Sequence, residues 1–176
     1  MKIANSPRRG LLLLTFVLVG IASSCAGPKL ATDLLVPSTV NGEALRSNSI
    51  EISVGIDPQI NNYEGLDATV RESLEIALRN ANIFGTDTTR PYKIEAHIAI
   101  ASQATMSFGS FNGKLEIVYT MLDDAGTTVL NETIYTEAGS DRWSFSGAAR
   151  HRRARAVNIS KNVMQFVDIL QLKLAQ

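Results

Sequence analysis

The chain has 176 residues, a length suited to one domain of ordinary size. With 45% apolar residues, 19% charged residues and a single cysteine, it fits neither a disordered segment nor a disulfide scaffold. Its 17 basic and 17 acidic residues cancel, but Lys2, Arg8 and Arg9 fall in an N-terminal stretch without acids. The remainder is weakly acidic and lacks the basic excess that nucleic-acid binding favours, so no nucleic-acid partner is expected.

Those three basic residues precede an apolar run from Leu11 to Ala22, followed by Ser23, Ser24 and Cys25. A positive start, an apolar middle and a small-residue end define a signal peptide over 1–24, which is removed. The run falls short of the roughly 20 residues that a spanning helix needs. The stretch Ile21-Ala22-Ser23-Ser24-Cys25 resembles a bacterial lipobox, whose cysteine is acylated and becomes the new N-terminus. Ala22 and Ser24 also suit ordinary signal peptidase, which would cleave before Cys25 without lipidation. The only cysteine of the chain stands where a lipobox would put it, and this favours lipidation, with acyl chains of the palmitate type as a membrane anchor. Ala26 and Gly27 follow it, and neither is the Asp associated with inner-membrane retention. The resemblance therefore implies the periplasmic face of the outer membrane.

Residues 25–49, with Pro28, Pro37 and Asn41-Gly42, show no sustained period and read as a lipidated N-terminus and tether. Leu30, Leu34, Leu35 and Val36 are apolar enough for part of it to pack on the domain, which is assigned to 50–176. Alternation of Ile50, Ile52, Val54 and Ile56 with Glu51, Ser53 and Gly55 predicts a strand with one buried face. Leu66, Val70, Leu74, Ala77, Leu78 and Ala81 then recur at helical spacing, with Asp67 as the expected N-cap and Gly85 as the stop.

A second alternating run spans Tyr92 to Ile100 and a third Leu115 to Met121. Paired as a hairpin, they set Ile98 opposite Met121 and Ile100 opposite Tyr119 on one side, and Ala101 opposite Val118 on the other; a slip of two residues would preserve this parity. Asp123-Asp124-Ala125-Gly126 signals a turn, and a fourth strand runs from about Thr128 to Ala138 without an evident inward face. The last element, from about Ala148 to Leu174, is a long amphipathic helix with Ala156, Ile159, Val163, Phe166, Val167, Leu170 and Leu174 on one face. The order β-α-β-β-β-α predicts an α+β two-layer sandwich: a small mixed four-stranded sheet, its first two strands parallel, with two helices on one face.

The sequence carries no phosphate loop, zinc-protease helix, CxxC pair or nucleophile elbow, so no catalytic residue, metal or cofactor is assigned and no enzyme is expected. His97 beside Glu95 fits a solvated strand face. Three clusters invite a binding role. Arg150, Arg152, Arg153 and Arg155 crowd the start of the last helix, where the helix dipole disfavours cations. They read either as a face neutralised by Glu137, Asp141 or other acids, or as a clamp for phosphate or carboxylate on a lipid, glycan or partner. Phe108 and Phe111 sit among glycines in the hairpin loop, and Trp143 and Phe145 precede the last helix. They are either lids on the core or contact anchors. The outer sheet face, with Ala99, Ala101, Val118 and Leu122, is less polar than a fully solvated face.

Lipobox, tether and β-α-β-β-β-α order, closed by a helix such as Arg155-Ala156-Val157-Asn158-Ile159, together resemble small Gram-negative envelope lipoproteins. These are of the YajG-like, ABC-transport-auxiliary and lipopolysaccharide-assembly types. The resemblance implies a non-enzymatic accessory or assembly subunit of an envelope complex, with a protein partner and a lipid-anchored membrane association, and carries over one functional position, Cys25. The alternative is a periplasm-facing module that binds a lipid or glycan.

Overall fold

The computed structural model describes residues 30–62, 64–102, 112–141 and 146–176. The signal peptide, Cys25, Phe108, Phe111, Trp143 and Phe145 lie outside the described residues. Four strands and two α-helices follow in the order β1 (Arg46–Ile56), α1 (Leu66–Ala81), β2 (Phe84–Ser102), β3 (Gly113–Leu122), β4 (Thr128–Ala138) and α2 (Gly147–Leu174). The sheet runs β1-β2-β3-β4, with β1 and β2 parallel and the rest an antiparallel meander. Helix α1 packs against β1, and α2 packs against β3, β4 and α1. This is the mixed sheet with two helices expected from the element order.

Both β1 and β2 begin earlier than their alternation. Arg46 to Ser49 have no apolar rhythm, yet they pair with the start of β2, where Arg46 lies opposite Phe84 and Asn48 opposite Asp87. Gly85 permits that approach, because a Cβ there would collide with the backbone carbonyl of Ser47. Between Asn48 and Ile50 the register slips, and β2 absorbs the extra residues around Pro91. A proline that cannot donate to the ladder is tolerated at such an irregularity. The Asn48 Nδ2 donates to the Arg90 carbonyl at 2.8 Å and pins the irregular stretch.

The start of α1 differs from expectation. Asp67 lies in the first turn and is not the N-cap; Gly65 holds that position in the left-handed conformation at φ 68°. The Asn62 Oδ1 reaches forward instead and accepts from the Leu66 N–H at 2.7 Å, satisfying a free helical donor. The Asp67 carboxylate accepts from the Asn62 side chain and the Ala68 N–H, which hold it below the usual carboxylate range. At the other end Asn82, at φ 50°, turns the chain, and its N–H closes onto Arg79 and Leu78; Gly85 is already in β2.

The hairpin register also moves. Ile98 faces Ile117, Ala96 faces Tyr119 and Ile94 faces Met121, so these three stay inward as predicted but slide along the partner strand. A bulge between Ile98 and Ile100 then flips the alternation: Ile100 turns out and is exposed, while Ala101 comes to the helix side opposite Leu115. In β4 the inward face is Leu130, Ile134, Thr136 and Ala138. Helix α2 begins at Gly147, capped by the Ser146 hydroxyl, which accepts from the Ala149 N–H.

The core centres on Tyr119 and Phe166, whose rings stack at 4.1 Å between centroids. The Tyr119 hydroxyl is fully buried, and it donates to the Asn162 Oδ1 at 2.8 Å. The Asn162 Nδ2 donates in turn to the Ile134 carbonyl and the Thr136 hydroxyl. This network joins β3, α2 and β4 at their centre, and burial pushes the phenol well above its ordinary ionisation range. Tyr119→Phe keeps the stack but strands a buried acceptor, and we expect a loss of about 1–3 kcal/mol in urea unfolding. Asn162→Ala, which empties every bond of the network, costs more by the same measurement.

Candidate functional site

The N-terminal segment is fastened to the domain before β1 begins. A short 3₁₀ turn, Thr32–Leu34, is flanked by Ala31 and Leu35, which are 1% and 0% exposed. The Asn80 side chain donates to the Leu35 carbonyl, Gln171 to the Thr39 carbonyl, and the Ser38 hydroxyl to Asp168. The stretch from residue 30 to 45, expected as part of a tether, therefore lies against α1 and α2. At most about 20 Å of chain separates Cys25 from Ala31.

The arginine cluster divides into three roles. Arg153 is buried, and its guanidinium forks between two carboxylates. Nη1 and Nη2 donate to Asp33 at 3.0 and 2.9 Å, and Nε and Nη2 donate to Asp141 at 2.7 and 2.8 Å. These bonds hold its pKa above the ordinary arginine value. Arg152 donates to the Glu64 carboxylate at 2.9 and 2.8 Å. The carboxylates thus answer the dipole penalty that the cluster would otherwise meet at the start of α2. Of the arginines expected at a contact surface, Arg153 is paired inside the domain, Arg152 is paired with Glu64 at its surface, and Arg150 is half-buried.

Arg155 differs. It lines a cavity of about 310 Å³ between the start of α2, the end of β2 and the start of β3. Its Nη2 is buried and meets no hydrogen-bond acceptor among the described residues. Desolvation lowers its pKa, with Glu64 opposing from a distance. One helical turn on, Asn158 lines the same cavity at 3% exposure. Its Nδ2 donates to the Gly113 carbonyl at 2.8 Å, while its Oδ1 is buried without a donor among the described residues. Leu66, Leu115 and Ile159 supply apolar wall, and Lys114 and His151 add basic groups; the lining includes no carboxylate among the described residues.

His97 is exposed on the outer face of β2, as its alternation implied, and does not line this cavity. No cluster of three potential metal ligands occurs among the described residues. On the outer face Ala99, Val118 and Leu122 are half-buried, whereas Ala101, expected there, packs on the core side because of the bulge. Sequence reasoning missed the cavity and the role of Asn158. The only available signal was the pair of polar residues Arg155 and Asn158 three apart on the helix face that leads to Ile159.

No family model and no curated protein matches the sequence. Among solved structures, the chain is similar to a Xanthomonas campestris protein of family DUF330, at 12% identity and a TM-score of 0.53, covering 78% of this chain and 92% of that one. It is likewise similar to a hypothetical protein from Chlamydia trachomatis at 9% identity and a TM-score of 0.53, covering 72% and 98%. A minor lipoprotein from Acinetobacter baumannii matches more weakly, at 8% identity and a TM-score of 0.43, covering 69% and 91%. The first two likenesses establish a shared fold.

Removing the buried guanidinium tests its role in seating the N-terminal segment. The Asp33 and Asp141 side chains are 44% and 38% exposed, so water can hydrate them once Arg153 is gone. Arg153→Met should therefore cost about 2–3 kcal/mol in urea unfolding, below the upper range for a fully buried pair. It should also speed proteolysis within residues 30–45. Arg153→Lys, a point charge without the fork, should recover only part of the loss.

Proposed function

We propose that this chain is a non-enzymatic lipoprotein anchored through Cys25 on the periplasmic face of the outer membrane. There it acts as an accessory or assembly subunit of an envelope complex. The observation that carries the reading is the docking of Ala31 and Leu35, because it leaves only a few residues between the acylated position and a packed domain. An anchor joined by so short a link holds the domain at the membrane surface, which suits a subunit presented to a neighbour in the same membrane. The use of Arg152 and Arg153 as internal fasteners supports a scaffold more than a catalyst. The lipobox-like residues around Cys25 support the anchor itself.

A periplasm-facing binding module for a lipid or glycan is the second reading, favoured by the cavity at Arg155. Crosslinking in intact cells, followed by purification and mass analysis of proteins and lipids, separates the two. For the subunit reading we expect a stoichiometric protein partner that is lost or weakened in Cys25→Ala, together with a shift of that variant out of the membrane fraction. A protein that purifies alone, in the same amount with and without Cys25, would overturn it.

A further inference from the structure

Burying the end of a guanidinium without an acceptor is costly, and so is burying a carboxamide oxygen without a donor. The cavity beside α2 holds one of each, on residues three apart and therefore on neighbouring positions of one helix face. The identity of the free Asn158 atom is fixed by its partner: Nδ2 is committed to the Gly113 carbonyl, so the remaining atom is the acceptor. Leu66, Ala101, Leu115, Ala154 and Ile159 give the wall its apolar part, Asn61, Ser102, Lys114 and His151 complete it, and no carboxylate lines it among the described residues.

Its space has a specific origin. The bulge in β2 replaces Ile100 on the inner face with Ala101, and Ala154 and Gly113 keep the facing elements small at the same level. A Cβ on Gly113 would press on the Ser102 carbonyl at 3.3 Å and approach the Asn158 amide at 3.8 Å. A straight strand would have filled the volume with isoleucine, closing it as ordinary core. Among the described residues, helix neighbours Arg152 and Arg153 have their carboxylates and Arg155 pairs with none, Glu64 being already taken by Arg152.

We propose that this cavity is a binding site for a small amphiphilic anion. Its carboxylate or phosphate accepts from the Arg155 guanidinium, a hydroxyl or N–H beside it donates to the Asn158 Oδ1, and its apolar body lies on Leu66, Leu115 and Ile159. At about 310 Å³ the site is at the lower end of ligand cavities, so it takes a compact molecule or one end of a longer one. The inference deepens the binding-module reading and is independent of the anchor at Cys25.

The test uses the full-length protein in membranes and a photoreactive decanoic acid bearing a diazirine on its chain, with crosslinked peptides mapped by mass spectrometry. We expect labelling of peptides that contain Leu115 or Ile159. Decanoate and decyl phosphate should compete, and their relative strength distinguishes a carboxylate from a phosphate head. Arg155→Gln should cut site labelling about tenfold or more, Arg155→Lys should restore part of it, and Ala101→Phe should block it by filling the space. Thermal unfolding of each variant distinguishes lost binding from lost fold, and Asn158→Asp, which places a negative charge beside the head, gives a second route to the same loss.

Equal competition by decanol would leave a binding module but overturn the anionic head. Equal competition by inorganic phosphate would reduce the site to a simple anion pocket and overturn the amphiphile. Labelling that is absent from these peptides, or unchanged in stable Arg155→Gln, would overturn the site itself and leave the anchored-subunit reading as it stands.

Discussion

A guanidinium buried near the start of a helix is opposed twice, by loss of its water and by the positive end of the helix dipole. At Arg153 both penalties are met by carboxylates drawn from opposite ends of the chain: Asp33 precedes the first strand and Asp141 lies between β4 and α2. The arrangement fixes where the N-terminal segment sits, how the polypeptide enters α2 and which way that helix turns its first arginines. Arg155, two residues on, is directed away from those acids toward the cavity, and Asn158 follows it on the same side. The ion cluster and the cavity are therefore two results of one helix orientation.

Much of the architecture was legible in sequence because one-sided burial writes a period. Ile50 to Ile56, Leu66 to Ala81 and the apolar stripe from Ala156 to Leu174 announce their elements and their inward residues, and the element order then limits the topology. What escaped is what periodicity does not encode. Arg46 to Ser49 and Phe84 to Asp87 become strand through pairing with one another, although Gly85 and Pro91 look like breakers. The hairpin slid because parity is kept by several registers, and side-chain packing around Tyr119, Phe166 and Asn162 chooses among them. Asp67 resembled a cap, but Asn62 reached the Leu66 amide from across the loop.

The candidate site was legible only as a composition. Four clustered arginines identify an unusual helix start, yet they do not say which of them find carboxylates; Glu64 lies 88 residues from Arg152, and Asp33 lies 120 from Arg153. The cavity depends on a bulge, on small residues meeting across three elements, and on two polar atoms left over after local pairing is complete. Each of these is a three-dimensional remainder, and a single sequence records no remainder.

The bond between Asp33 and Arg153 spans 120 residues, and this distance orders events during folding. The segment around Leu35 rests on both helices, but α2 is the last element to be complete. Until that helix is in place, the N-terminal stretch has only part of its seat, and a loop closed over so long a span forms late. The stretch around Leu35 is thus freest while the domain is unfinished and most tightly held once it is folded. The last bond to close is thereby the one that ties the segment before the first strand to the last helix of the chain.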